Sequence, residues 1–192
     1  MFINRESELS HLEEEYSKNV SRFEVLYGRR RIGKTALIEE FGKNKKDFIY
    51  YLADQQTETQ QIESFKQQVY EYTNDDFLLK TRFNNWDQFF SYLTKIVQAD
   101  KRLVIGIDEI TYLIKSTPAF LSILQKYWDT SFSKTKMFLI LSGSHVGMML
   151  RNVLNYDSPL YGRRTSQIHL KAFDFKDASK FLKNFDIKKE DT

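Results

Sequence analysis

The sequence predicts an α/β protein in which helices cover both faces of a mainly parallel five-stranded sheet, as a three-layer αβα sandwich. Five apolar segments of strand length alternate with segments whose apolar residues recur at helical spacing. One of them, 103–109, is apolar almost throughout before it ends in two acids, which is typical of a strand buried on both faces of a parallel sheet. The predicted strands are 23–27, 47–53, 103–109, 137–141 and 165–170.

The composition favours one folded domain, with room for a small appendage. The chain has 192 residues, of which 41% are apolar and 15% aromatic, and this is enough to fill a core. The formal net charge of +3 is no evidence for nucleic-acid binding, and the lack of cysteine excludes a disulfide framework and a thiolate metal site. We recognise no signal peptide and no apolar run of bilayer length, so we expect a soluble, cytoplasmic protein without a membrane partner.

The first strand leads into a glycine-rich loop. Residues 28–35 read GRRRIGKT, which matches the pattern G-x-x-x-x-G-K-[ST] at every fixed position, and a helical segment follows at 36–41. In such a phosphate-binding loop (P-loop, or Walker A motif), main-chain N–H groups point at one spot, where the helix dipole adds positive potential. Lys34 would reach the β- and γ-phosphates, and the Thr35 hydroxyl would bind Mg²⁺. The residues expected to hold the phosphates are Gly28, Arg29, Arg30, Arg31, Ile32, Gly33, Lys34, Thr35 and Ala36.

The segment before the first strand, residues 1–20, has a helical pattern that begins near Ser7. Just ahead of this pattern lie an aromatic and a basic residue, Phe2 and Arg5. From the residues alone two interpretations stay open. The segment folds over the base of a bound nucleotide, or it is an ordinary edge helix with solvated charges.

Two amphipathic helices are predicted between the second and third strands. One runs through Ile62, Phe65 and Val69, and the other covers 86–97. We interpret their aromatic stripes as core rather than as cofactor contacts. The segment between them, 73–85, is predicted to be a loop with a short helical turn.

The third strand ends in Asp108 and Glu109. Open α/β sheets bind ligands at the carboxyl ends of their strands, which is where these acids would lie. We expect Asp108 to hold Mg²⁺ through its water shell, and Glu109 to orient and deprotonate the attacking water. Strands often end in acids because loops are polar, but in a chain with a P-loop the pair indicates a hydrolytic site (the Walker B motif).

A further helix, which Thr117 and Pro118 would start, precedes the fourth strand. That strand ends in a serine turn, which we define as residues 142–144. A hydroxyl there could hydrogen-bond the γ-phosphate or the attacking water, so Ser142 would sense hydrolysis. For Ser144, a capping turn is the alternative.

Arg163 follows a tight turn just before the fifth strand. An arginine presented in this way is a natural phosphate ligand, in its own site or in that of a neighbouring copy. The alternative is an ordinary surface turn. A final helix is predicted from Asp174 onward.

The ordered set of motifs resembles that of the archaeal-type ATPase domain family, in the STAND branch of AAA+-like P-loop NTPases. The resemblance runs from residue 2 to about residue 164. It departs from the family at Thr111, where proline is frequent, and at His145, where a small hydroxyl residue is usual. The matching segments are 2–9 (FINRESEL), 27–35 (YGRRRIGKT), 107–110 (IDEI), 141–144 (LSGS) and 160–163 (LYGR).

The resemblance implies ATP as the nucleotide, a position close to the adenine for Phe2 to Arg5, and a phosphate-sensing role for Arg163. The separate glutamate after Asp108 and the polar end of the fourth strand indicate a sheet with an extra strand between the Walker A and Walker B strands. Relatives usually continue into a helical lid. This places the ATPase core at 1–172 and the start of a lid or C-terminal appendage at 173–192.

We therefore expect a Mg²⁺-dependent ATPase whose nucleotide state switches conformation or assembly, with Lys34, Glu109 and Arg163 as its catalytic residues. Two alternatives stay open. One is a scaffold that holds ATP or ADP tightly with negligible turnover; the other is a DNA-associated ATPase, although we find no basic face or helix-turn-helix pattern. Besides ATP and ADP, the expected partners are a second copy of the chain, and a protein or DNA molecule bound through domains absent from this chain.

Overall fold

The computed structural model describes residues 5–98 and 100–173, and its centre is a five-stranded sheet. The strands are β1 Arg22–Tyr27, β2 Phe48–Leu52, β3 Val104–Asp108, β4 Phe138–Gly143 and β5 Ser166–His169. Their order is β2-β3-β4-β1-β5, and every neighbouring pair is parallel. β4 pairs with both β1 and β3 and therefore lies between them. The expected α/β fold around a parallel five-stranded sheet is confirmed.

Helices cover both faces of this sheet. They are α1 Glu6–Ser17, α2 Lys34–Gly42, α3 Glu58–Thr73, α4 Asp76–Lys80, α5 Trp86–Ile96, α6 Thr111–Ser116 and α7 Phe120–Thr130. Residues 146–154 form a further short helical segment, of which the second part is a π-helix.

The two faces of the sheet belong to two separate cores. Because side chains alternate along a strand, β1 directs Val25 to one face and Leu26 to the other, and both are buried. Val25 packs in the larger core, to which α3, α5, α6 and α7 contribute, whereas Leu26 packs in a smaller core with α1 and α2. Burial of both faces explains why the central strands read as continuous apolar runs.

Aromatic rings dominate the larger core. Trp86, the first residue of α5, is fully buried, and its ring lies 4.9 to 6.4 Å from the rings of Phe65, Phe89, Phe90 and Phe120. Such aromatic pairs stabilise a core beyond the burial of their surface. The aromatic stripes of α3 and α5 are therefore core residues, as predicted.

Some boundaries differ from those expected from the sequence. α7 begins at Phe120 rather than at Thr117, because the Thr117 carbonyl accepts the Phe120 N–H at 2.9 Å in a turn that precedes the helix. β4 extends two residues further than predicted, because Gly143 still pairs with Tyr27 of β1. α6 was not predicted, since its six residues are too few for a periodic apolar pattern.

Two predictions fall outside the described residues: the final helix from Asp174 and the position of Phe2. The proposed boundary between core and appendage also lies at the end of the described range. Within that range, no helix combines the length and apolar character needed to cross a membrane.

Replacing Trp86 by alanine is expected to lower the free energy of unfolding by about 3–5 kcal/mol, because it leaves a cavity among four other rings. Chemical denaturation followed by circular dichroism measures this loss. Phe77→Ala is the matched control, because Phe77 is 50% exposed. This variant is expected to lower the free energy of unfolding by less than about 1 kcal/mol. Equal losses in the two variants would contradict this description of the core.

Candidate functional site

Three turns meet at the carboxyl edge of the sheet, because β1, β4 and β3 are neighbours there. The P-loop follows β1, the turn that begins at Glu109 follows β3, and the serine turn lies at the end of β4. Main-chain hydrogen bonds join them: the Gly28 N–H donates to the Gly143 carbonyl at 3.4 Å, and the Ile110 N–H donates to the Ser142 carbonyl at 2.9 Å. The sheet therefore brings the predicted phosphate-binding and acidic segments side by side.

Two glycines give the P-loop its backbone geometry. A Cβ on Gly28 would lie 2.2 Å from the Leu170 carbonyl oxygen, so a larger residue does not fit there. Gly33, just before the first residue of α2, has a φ of +93°, in the left-handed region that favours glycine. Helix α2 then begins at Lys34, so its first N–H groups have no partner within the helix and remain available to an anion.

The side chain of Lys34 reaches back to the start of the P-loop. Its side chain is buried, and Nζ donates to the Gly28 carbonyl at 3.1 Å and to the Arg29 carbonyl at 2.9 Å. Burial lowers the pKa of Lys34, and the Glu109 and Asp108 carboxylates nearby oppose that change. The ammonium group therefore lies among the carbonyl oxygens of the loop and within the field of both acids.

Asp108 is fully buried, and its carboxylate accepts three hydrogen bonds from described residues. Its Oδ2 accepts from the Thr35 hydroxyl at 2.6 Å and from the Tyr50 hydroxyl at 3.0 Å, and its Oδ1 accepts from the Glu109 N–H at 2.8 Å. The two residues that the sequence assigns to Mg²⁺, Thr35 and Asp108, are thus in direct contact.

Tyr50 is a site residue that the sequence did not reveal. Burial, and then the charge of Asp108, raise the pKa of Tyr50 far above its usual value, so the hydroxyl stays protonated as a donor. In the sequence it is one of two adjacent tyrosines in an apolar strand. Alternation along β2 was the available signal, because it sends Tyr51 into the aromatic core and Tyr50 to the other face.

Glu109 leaves the sheet with a φ of +53°, a conformation that residues with a side chain rarely adopt. Its Oε2 accepts from the Ser144 hydroxyl at 2.7 Å and from the Ser144 N–H at 3.2 Å. The Ser142 hydroxyl is also buried, but it has no hydrogen-bond partner within the described residues. The serine turn thus contacts the acid through Ser144, while the contact of Ser142 with a γ-phosphate stays a prediction.

Two cavities are both lined by Arg30 of the P-loop and Tyr112 of α6. The Arg30 guanidinium donates to the Tyr112 hydroxyl at 3.0 Å. Each cavity has a volume of about 600 Å³, a size that suits small-molecule ligands. The first is lined by Arg30, Arg31, Gly33, Lys34, Thr35, Ala36, Glu39, Glu109 and Tyr112. The second includes Arg29, Lys115, Ser144, His145 and His169. Both cavities therefore open onto the predicted phosphate-binding residues.

Arg5 connects the P-loop to the chain that follows β5. Its guanidinium donates to the Ile32 carbonyl at 3.0 Å and to the Lys171 carbonyl at 2.7 Å, and it lies 4.1 Å from the centre of the Phe173 ring. An ion pair with Glu8, at 2.9 Å, holds the side chain in place. The N-terminal segment thus reaches the P-loop, and its contact with an adenine stays a prediction.

Arg163 does not join this cluster. It precedes β5, which runs parallel to β1, and the neighbouring Thr165 N–H donates to the Phe23 carbonyl near the start of β1. Arg163 therefore lies at the amino edge of the sheet, opposite the P-loop. There Nε donates to Asp129 Oδ1 at 2.9 Å and Nη2 to Oδ2 at 2.7 Å, and these hydrogen bonds raise the pKa of Arg163. Arg163 therefore lies away from the P-loop of its own chain, where the resemblance implied a phosphate-sensing role. A role at the nucleotide of a neighbouring copy stays a prediction.

Comparison with known proteins places the chain among archaeal ATPases. A family model described as "ATPase domain predominantly from Archaea" matches residues 2–191. The protein MJECL04 of Methanocaldococcus jannaschii is 38% identical over 185 residues, which are 95% of this chain and 38% of that protein. The ATP-binding protein MJ0423 of the same organism is 52% identical over 46 residues, which cover 24% of this chain and 78% of that protein. The chain thus spans about two fifths of the longer relative.

Solved structures share the fold. The Walker-type ATPase PABY2304 of Pyrococcus abyssi aligns with a TM-score of 0.69 at 23% identity, over 95% of this chain and 57% of that one. A structure of Drosophila ORC bound to DNA aligns with a TM-score of 0.70 at 18% identity, over 95% and 47%. Cdc6p from Pyrobaculum aerophilum gives 0.67 at 16%, over 94% and 48%. At these identities the likeness concerns the fold alone.

Tyr50→Phe is expected to lower the free energy of unfolding by about 1–3 kcal/mol, because the buried Asp108 carboxylate loses a donor. Urea denaturation measures the change. Tyr92→Phe is the matched control, since its hydroxyl donates at 2.6 Å to Asp75, a carboxylate partly exposed to water, and its loss should be smaller. If the two substitutions were equally costly, Tyr50 would not support the buried acid.

Proposed function

Because the chain belongs to the family of ATPase domains found predominantly in Archaea, we propose that it hydrolyses ATP with Mg²⁺ and that its nucleotide state switches conformation or assembly. ATPase chemistry follows from the family; the metal, the residue roles and the switch are the proposal. One observation carries it: Thr35 of the P-loop and Asp108 of the acidic strand share a hydrogen bond, with Lys34 and Glu109 beside them.

Thr35 and Asp108 fit the way in which proteins usually hold Mg²⁺. No group of three or more His, Asp or Glu side chains that could hold a metal occurs in the described part of the chain. Mg²⁺ typically keeps several waters and binds through one or two protein oxygens together with phosphate oxygens. Thr35 Oγ1 and Asp108 Oδ2, 2.6 Å apart, supply such a pair. When bound, the ion would neutralise charge on the β- and γ-phosphates.

The protein groups would divide the work of hydrolysis as follows. N–H groups of the P-loop and of the first turn of α2 bind the phosphates. Lys34 exchanges its bonds to the Gly28 and Arg29 carbonyls for phosphate oxygens, and so stabilises the charge that develops on the γ-phosphoryl group. Glu109 accepts a proton from the water whose oxygen attacks the γ-phosphorus, while the bond from that phosphorus to the β–γ bridging oxygen breaks. The products are ADP and phosphate.

The contacts of Arg5 support the switch. One guanidinium nitrogen donates to both the Ile32 carbonyl in the P-loop and the Lys171 carbonyl beyond β5. A P-loop that closes on a triphosphate would displace the Ile32 carbonyl and alter this bridge. Nucleotide state would thereby reach the chain that leaves the sheet, where the resemblance implies a lid.

This chain spans only part of the length of the relatives that it matches. Assembly and partners are properties of the whole protein. We propose self-association, and a protein or DNA partner that further domains would bind, in a cytoplasmic setting. The DNA in the ORC structure is the reason for including DNA among the proposed partners.

Glu109→Gln is expected to lower kcat for ATP by about 10²- to 10⁴-fold with little change in nucleotide affinity, because the amide cannot accept the proton. Phosphate release measures kcat, and equilibrium binding of a fluorescent ATP analogue measures affinity. Lys34→Ala is the contrasting variant and should weaken binding and turnover together. Wild-type turnover in Glu109→Gln would show that another group is the base. Retained nucleotide without phosphate release from the wild type would favour the tightly binding scaffold.

Arg163 is expected to act on the nucleotide of a neighbouring copy, because it lies at the sheet edge opposite its own P-loop. Specific ATPase activity should then rise with protein concentration, and Arg163→Ala should abolish that rise. Arg82→Ala, at an exposed arginine elsewhere, is the control and should retain it. Wild-type specific activity that does not change with protein concentration would contradict a role in trans.

A further inference from the structure

We propose that Ser144 is a positioning residue that aims the Glu109 carboxylate at the P-loop. This inference rests on the proposed ATP hydrolysis and adds a residue to it. Neither the P-loop nor the acidic motif contains Ser144, and from sequence it could equally be the cap of a turn. Its contacts distinguish it from Ser142, two residues earlier.

Two donors of Ser144 converge on one oxygen of Glu109. The hydroxyl donates to Oε2 at 2.7 Å and the main-chain N–H donates to the same oxygen at 3.2 Å. Ser144 is only 7% exposed, so water competes little for these bonds. A carboxylate that receives two hydrogen bonds from one residue has its direction defined, which is what a general base requires.

The anchor for these bonds is rigid. The residues before Ser144 are joined to both neighbours of β4: Gly143 accepts the Gly28 N–H, and Ser142 accepts the Ile110 N–H. Ser144 is therefore one residue from a direct contact with the P-loop. Glu109 adopts its left-handed conformation at a cost in free energy, and the two bonds to Ser144 help to hold it there.

The carboxylate held by Ser144 faces the phosphate-binding side of the site. Glu109 lines the same cavity as Lys34 and Thr35. The charges of Glu109 and Asp108 both act to raise the pKa of Lys34, against the effect of burial. The carboxylate that Ser144 contacts therefore belongs to a residue at the border of the cavity in which the phosphates would bind, and this position fits an aiming role.

The first test compares steady-state ATP hydrolysis by single variants. Ser144→Ala is expected to lower kcat by about tenfold or more and to change KM for ATP less than about twofold, because misdirection of a base affects the chemical step. Ser144→Thr keeps the hydroxyl and should restore most of kcat. Ser158→Ala removes another buried serine hydroxyl, which accepts the Leu160 N–H at 3.1 Å in the turn before β5, and should leave kcat unchanged.

The second test is a pair of double-mutant cycles. In single-turnover experiments, Ser144→Ala should cause no further loss in a Glu109→Gln background, since the group that it aims is no longer a base. In chemical denaturation without nucleotide, the effects of Ser144→Ala and Glu109→Ala on stability should be non-additive, because both remove the same contact.

The outcomes separate this inference from the function on which it rests. A wild type that releases no phosphate contradicts the proposed function. An active wild type contradicts the role of Ser144 alone if kcat survives or rises in Ser144→Ala, if the loss is the same in the Glu109→Gln background, or if the stability effects add.

Discussion

The pairing of β4 with both β1 and β3 is the constraint on which the site depends. It places β4 between β1, which leads to the P-loop, and β3, which ends at Asp108. The spacing of strands in a sheet then puts the axes of β1 and β3 about 10 Å apart. Short side chains such as Thr35 and Asp108 can then meet across the edge. All three strands are buried under helices on both faces, so a one-residue shift in register would move the side chains of β4 into the opposite core, where they would not fit the existing packing.

Hydroxyl groups hold both acids of the site. Asp108 accepts from Thr35 and Tyr50, and Glu109 accepts from Ser144. A hydroxyl stabilises a buried carboxylate without neutralising it, and it can turn to a new partner when a ligand arrives. Lys34, a cation beside these acids, has its own hydrogen bonds to carbonyls of the loop. Both the positive and the negative groups are thus held by neutral partners, which suits a site that must admit a phosphate group.

The contiguous parts of the site could be predicted from the sequence, and so could the meeting of Thr35 with Asp108, whereas the contacts of Tyr50 and Ser144 could not. The P-loop is a local arrangement of backbone, so its residues and their places follow from residues 28–36. Tyr50 meets Asp108 across 58 positions and Ser144 meets Glu109 across 35, and no pattern within one segment encodes such pairs.

The place of Arg163 in the fold could not be read from its local motif alone. Its turn indicated a phosphate ligand, but the direction of β5 decides which edge of the sheet it occupies. A residue that precedes a parallel strand lies at the amino edge, and there Arg163 pairs with Asp129. The order of elements along the chain already contained this information.

The sequence by itself determined the alternation of strands and helices, the parallel sheet and the phosphate-binding loop, because apolar periodicity and glycine conformation act over a few consecutive residues. Only the tertiary structure decided which strands are neighbours and which hydroxyl contacts which acid. Those choices depend on burying both faces of the sheet at once, and that burial is a property of the whole chain rather than of any one segment.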